Sequence, residues 1–283
     1  MTSAIGLRRV RQDGLPSTIR ASWTTYPHPD GLPHHQELFE GTDWASLATP
    51  YGTGESLSAA LARLLDPDPA VRTAAVKDVS NEVDHQNTIY EATVPVALYF
   101  AAILNHPATE VGELDHDADV PSRHPTRELL LNWLGGTAHD ADDERVAMGK
   151  CHFGVGFLEA CPDTRAFRNL RPAIYFAVQP FLDHGNAEVR HAALVAAIPL
   201  TEEPRLTTHR AELVEHARYL LTTSANRYHR DRALDALKAW GHDTGDLENA
   251  NDIASRELQA RLADLEYWSA NNGTGVGTED PPF

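Results

Sequence analysis

The chain has 283 residues, with 24 Lys or Arg against 41 Asp or Glu and a formal charge of −17. That charge argues against binding a phosphate backbone, which needs a basic footprint, and favours basic partners or simple solubility. Two cysteines are too few for a disulfide framework, and no uninterrupted apolar run approaches the length of about 18 residues that a membrane span needs. A soluble, cytoplasmic protein is expected, with neither nucleic acid nor membrane as partner.

Residues 1–42 are rich in Pro, Gly and His without a sustained period, and are expected to be an irregular arm docked through Trp23, Tyr26 and Phe39. Leu57, Leu61, Leu64 and Leu65 then share one face of a helix. Asp66-Pro67-Asp68-Pro69 breaks it, with Pro69 in the first turn of a second helix carrying Val71, Ala75 and Val79. A polar stretch, Asp84 to Ala92, separates this pair from a helix at 94–105 that is apolar on nearly every side and therefore interior. Residues 106–125 read as a long loop carrying Asp115, Asp117 and Asp119, after which a helix runs from Thr126 to Leu134. The acidic run Asp140 to Glu144 precedes a helix reaching Ala160, and Cys151 and Cys161 are expected as reduced core residues. Pro172 opens the next helix, and Glu188 to Ile198 forms its partner. Leu213 to Leu221 and Ala233 to Trp240 form a further pair, closed by Gly241 at the C′ position. A final helix at 252–268 is expected to cover the end of the stack, and 271–283 to be a disordered tail.

The turn and the helix after it recur. Asn186-Ala-Glu-Val-Arg190-His-Ala-Ala193 matches Asp68 to Ala75, and Arg230-Asp-Arg-Ala233 is a shorter copy 40 residues after Arg190. A period near 40 built from helix pairs is what stacked helical repeats require. The Asp-Pro turn followed by Val-Arg-x-x-Ala resembles the HEAT signature. Asp43-Trp44, Tyr51-Gly52 and His85-Gln86-x-Thr88-x-Tyr90-Glu91-Ala92-Thr93 resemble an actinobacterial group of HEAT-like proteins. The resemblance implies an all-α superhelix of about five helix pairs plus a C-terminal capping helix over residues 43–270. It also implies that Arg72, Arg190 and Arg230 bind the neighbouring repeat.

Candidate chemistry is sparse. No two of the fifteen histidines are three or four residues apart, so no helix presents a His pair to a metal; surface histidines and no metal are the expectation. Asp115-His-Asp-Ala-Asp119 opens like a calcium loop, but Val120 stands where the turn glycine belongs and Thr126 where the bidentate Glu belongs. Gly154-x-Gly156 lacks the third glycine of a dinucleotide fingerprint. Asp84, His85, Gln86, Tyr90 and Glu91 are expected together at a helix junction, as a hydrogen-bonded knot or as an acid–base constellation. No catalytic residue or cofactor is assigned.

Between Glu110 and Arg145 ten acidic residues face three arginines. Asp115, Asp117, Asp119, Asp140, Asp142, Asp143 and Glu144 are therefore the expected partner surface. The function expected is a non-enzymatic protein-binding scaffold, an immunity or neutralising protein for a basic toxin. The alternatives are a DNA-modifying or biosynthetic HEAT-like enzyme, or a small-molecule-binding protein.

Overall fold

The computed structural model describes residues 32–114 and 123–272. Among them regular structure is helical apart from two small hairpins, so the chain is all-α. Helix α1 (His35–Gly41) leads into hairpin β1–β2 (Ala48–Thr49, Gly52–Thr53). The first helix pair is α2 (Leu57–Ala62, continued by a 3-10 turn to Leu65) and α3 (Pro69–Val83). Leu57, Leu61 and Leu64 are fully buried, as their spacing predicts. The turn is built by its aspartates: Asp66 accepts the N–H of Asp68 at 2.8 Å, and Asp68 caps α3 by accepting that of Ala70 at 2.9 Å.

The second pair is α4 (Thr93–Ile103) and α5 (Thr126–Asp140), with hairpin β3–β4 (Gly112–Leu114, Arg123–Pro125) between them. Three shorter helices follow, α6 (Asp143–Phe153), α7 (Phe157–Ala160) and α8 (Pro162–Asn169). The third pair is α9 (Arg171–Val178) and α10 (Ala187–Leu200), the fourth α11 (Arg210–Thr223) and α12 (Arg227–Ala239). Gly241 takes φ +83° after α12, with its N–H on the Lys238 carbonyl and that of His242 on Leu237, a Schellman end. Helix α13 (Ala250–Asn272) completes the described chain.

The second members of the pairs contact one another in chain order, α3 on α5, α5 on α10 and α10 on α12. The α5–α10 interface is the most extensive, and it depends on Gly135: a Cβ there would lie 3.3 Å from the Cα and N of Ala196. Helix α10 is buried from His191 to Leu200 and forms the centre of the core. No described helix is long and apolar enough to cross a membrane.

One arginine near the start of each second helix ties its pair to the next element. Arg72 is 2% exposed; its Nη1 donates to the carbonyls of Asp66 and Pro67, its Nη2 to Val111 O at 2.6 Å, and its Nε to Thr126 Oγ1 at 3.1 Å. Arg190 Nη1 closes its own turn in the same way, on His184 O at 2.6 Å and Gly185 O at 3.0 Å, while its guanidinium reaches the next pair only over the Tyr219 ring at 5.7 Å. Arg230 pairs with Asp252 of α13, both side chains 4% exposed. Arg127 is the fourth rung, which the sequence reading missed because no Asp-Pro or Asn-Ala turn precedes it. It donates to Leu104 O at 2.7 Å and to Glu110, lies over Phe181 at 4.8 Å, and reaches His184 of the third pair at 3.1 Å.

Several expectations need correction. The irregular arm is broken by α1, whose Leu38 is 2% exposed against the core; Trp23 and Tyr26 lie outside the described residues. The long loop contains a 3-10 turn (Pro107–Glu110) and a hairpin, because arginine side chains anchor it; Asp115, Asp117 and Asp119 lie outside the described residues. The helix from Thr126 continues to Asp140, and the one expected to reach Ala160 stops at Phe153, where Gly154 turns the chain with φ +89°. Besides the four pairs, the three shorter helices α6 to α8 pack in succession between the second and third. Helix α13 docks by Asp252 and Ser255, while Ile253, Leu258 and Leu262 are exposed. Cys151 is exposed and Cys161 half-buried, both free thiols rather than core residues.

Candidate functional site

The expected junction does not assemble into a constellation. After α3, His85-Gln86-Asn87-Thr88 forms a tight turn, with Thr88 N–H on the His85 carbonyl at 3.2 Å and φ of 52° and 57° at Gln86 and Asn87. Two successive positive φ values define a type I′ turn, which glycine or asparagine usually fills. Asp84 to Thr88 are therefore exposed on a projecting tip. His85 Nδ1 stands 3.4 Å from the Tyr51 hydroxyl, Glu91 accepts the Ala48 N–H at 3.1 Å, and Tyr90 donates its backbone N–H to Thr93 Oγ1 at 3.0 Å. These side chains serve separate partners, while Thr93 Oγ1 also donates to Val83 O at 3.0 Å and so satisfies the end of α3.

What the tip does create is an edge of negative charge. Asp84 follows the last turn of α3 and Asp140 ends α5, so both sit at the negative ends of helices, where a carboxylate is disfavoured. Asn87 Nδ2 donates to Asp140 at 2.7 Å and bridges the two helix ends. Burial raises the Asp140 carboxyl above its ordinary value, and the charge of Asp84 pushes the same way, against the Asn87 hydrogen bond and the charges of Arg145 and Arg232. Asp235 on α12 is raised likewise, by burial first and then by Asp231 and Glu144. Beside Asp84, a groove of about 720 Å³ opens between β1–β2, α2 and α3. Tyr51, 70% exposed, lines it together with Asp78, Glu82 and the Arg63 that pairs with Asp78 at 2.7 Å.

The acidic run divides between this edge and the scaffold. Asp140 belongs to the edge, and Glu144 is exposed on α6 within reach of Asp235. Asp142, expected at a partner face, is instead 8% exposed and caps α6 by accepting the Arg145 N–H at 2.8 Å. Asp143 is exposed but ion-paired to Arg168, which also donates to Ala141 O at 2.6 Å. The sequence hides these partners because Arg168 is distant along the chain.

The Asp143 N–H also donates to Glu202 at 2.7 Å, within 3.5 Å of Arg171. Burial pushes the Glu202 carboxyl up to about 7 from an ordinary 4.5. A carboxyl whose pKa is raised by folding contributes stability below the ordinary value, and this is lost as pH climbs through the folded value. Wild type should therefore lose stability between pH 4.5 and about 7 on this account. Allowing for partial exposure, the loss is about 1–2 kcal/mol. Denaturant titrations of Glu202→Gln across that window should show a correspondingly flatter profile; identical slopes for both proteins would refute the assignment.

The histidines are not all superficial, as the sequence reading expects: His139, His191 and His229 are 8%, 3% and 2% exposed. His191 and His229 meet Glu188, with one donor atom from each of the three within 4.8 Å of the others. The missed signal is Glu188-Val-Arg-His191, a carboxylate and an imidazole one helical turn apart. No protein-family model, no curated protein and no solved structure matches the chain.

Proposed function

We propose that this protein is a non-enzymatic binding scaffold of HEAT-like type that captures a basic protein partner, in the manner of an immunity protein neutralising a basic toxin. The observation that supports it is the placement of Asp84 and Asp140 at the negative ends of neighbouring helices, within reach of each other's charge. Arg145, Arg232 and the Asn87 amide offset part of that cost, and an opposing cation would relieve more of it, which favours a lysine- or arginine-rich surface. The groove beside Asp84 offers Tyr51 as an exposed aromatic contact of the kind that anchors interfaces. The overall charge of −17 steers such a partner in from a distance.

Asp84 and Glu144 are exposed, so reversing both to lysine should leave melting unchanged or slightly raised. The test is affinity capture with cross-linking from the native host, followed by stopped-flow association with the captured protein. The expected result is a basic protein retained by wild type, with association at low salt at least tenfold slower for the double variant and a flatter salt dependence. Capture of no basic protein, or association unaffected by the reversal, would overturn the reading.

A further inference from the structure

We propose that Glu188, His191 and His229 form a binding site for a divalent transition-metal ion of the zinc class. The three side chains come from the start of α10 and the start of α12, and their donor atoms already lie within 4.8 Å of one another. A tetrahedral ion with bonds of about 2.0–2.1 Å draws its ligand atoms to about 3.4 Å apart. Closing the shell therefore takes side-chain shifts of about 1 Å, which the half-buried Glu188 is placed to make.

The hydrogen bonds around the two imidazoles leave one nitrogen of each ring free for a metal. His229 Nε2 faces Asn132 Oδ1 at 3.3 Å, an oxygen that only accepts, so Nε2 carries the proton. His191 Nε2 faces Thr223 Oγ1 at 3.4 Å; that hydroxyl donates its own hydrogen to the Tyr219 carbonyl at 3.0 Å, so here too Nε2 is the donor. Each ring thus keeps a lone pair on Nδ1, and both Nδ1 atoms are buried without a hydrogen-bond partner. Buried polar atoms are rarely left unpaired, and two in adjacent rings 6.2 Å apart point to a shared missing partner. A metal-bound histidine commonly donates its other ring N–H to an oxygen outside the shell, which is the role Asn132 and Thr223 already fill.

The electrostatics agree. Both imidazoles are buried, and a metal takes them through the lone pair of the neutral ring. Glu188 supplies the anionic donor. Buried Glu128 of α5 adds a second carboxyl nearby, itself raised by burial and by the Glu188 charge, and bonded to His124 at 3.1 Å. Three protein donors leave one position of a tetrahedral ion for water, reached past Glu188.

The experiment uses the full chain dialysed against a chelator, titrated calorimetrically with Zn²⁺ and spectroscopically with Co²⁺. Wild type should bind one equivalent of each, with the visible Co²⁺ bands of a low-coordinate N/O site. Glu188→Gln, which alters only a half-buried carboxylate, should weaken Zn²⁺ binding at least tenfold. His191→Gln and His229→Gln should abolish the Co²⁺ bands, and His85→Gln should leave both readouts unchanged. If the buried histidine variants fail to fold, Glu188→Gln with an unchanged circular dichroism spectrum decides alone. Absence of saturable binding by wild type, or unchanged affinity in Glu188→Gln, would overturn the site; neither result bears on capture of a basic partner.

Discussion

Replacing Arg230 with alanine is expected to cost about 3–5 kcal/mol, because it strands a buried carboxylate. The guanidinium donates from Nε to both oxygens of Asp252 at 3.1 Å, and it also serves Ser224 O at 3.2 Å and Leu247 O at 3.0 Å. Asp252 in turn accepts the Asn249 N–H at 2.8 Å while Asn249 accepts that of Asp252 at 3.0 Å, a reciprocal cap on α13. Losing Arg230 therefore damages two things at once, the end of the fourth pair and the root of the last helix. For a domain of this size the melting temperature should fall by about 6–20 °C. Hydrogen bonding to Arg230 holds the Asp252 carboxyl below its ordinary 3.8, so the pair's contribution is present above that value and fades as pH falls through the lower folded value. Arg230→Ala should accordingly show a smaller loss of stability on acidification than wild type. A melting temperature within a degree or two of wild type would show that the pair does not hold this end of the fold. Arg190→Ala should be milder, since its polar contacts are to its own turn.

Gly135→Leu is the second large effect expected. The added side chain would enter the α5–α10 interface, where even a Cβ meets the Ala196 backbone at 3.3 Å. Backbone does not rotate aside as a flexible side chain would, so the helices must separate. Their separation loosens the central buried helix. Overpacking of this kind costs about 1–3 kcal/mol, and a leucine against backbone belongs at the upper end. Chemical denaturation should show the loss as a lower midpoint, with Gly135→Ala intermediate. Wild-type midpoints for both variants would mean that the interface has room that the Gly135–Ala196 distance denies.

The helices were legible where local rules and burial agree. Leu57, Leu61 and Leu64 mark α2, and Asp68 and Asn186 mark helix starts by capping chemistry that reads directly from the chain. Helix α1 was not legible, since seven residues beginning His-Gln-Glu form a helix only by docking Leu38. Hairpin β3–β4 escaped for a similar reason: three-residue strands carry no alternation to detect. The acidic run was legible as charge but not as role, because the Asp143–Arg168 pair is set by tertiary packing. The histidine cluster leaves only a half-signal in the chain, Glu188 with His191, because His229 arrives on another helix.

Helix α13 has a mechanical consequence. It runs for 23 residues, about 34 Å at 1.5 Å per residue. Among the described side chains its holdfasts lie in the opening turns, with Arg230 on Asp252 and Arg227 on Ser255. Over residues 250–262, whose side chains are described, it is a mast stepped at one end. A tilt of about 10° at the foot carries the far end through about 6 Å. A load applied along the described side chains bears on the Arg230–Asp252 joint with its distance from that joint as its lever.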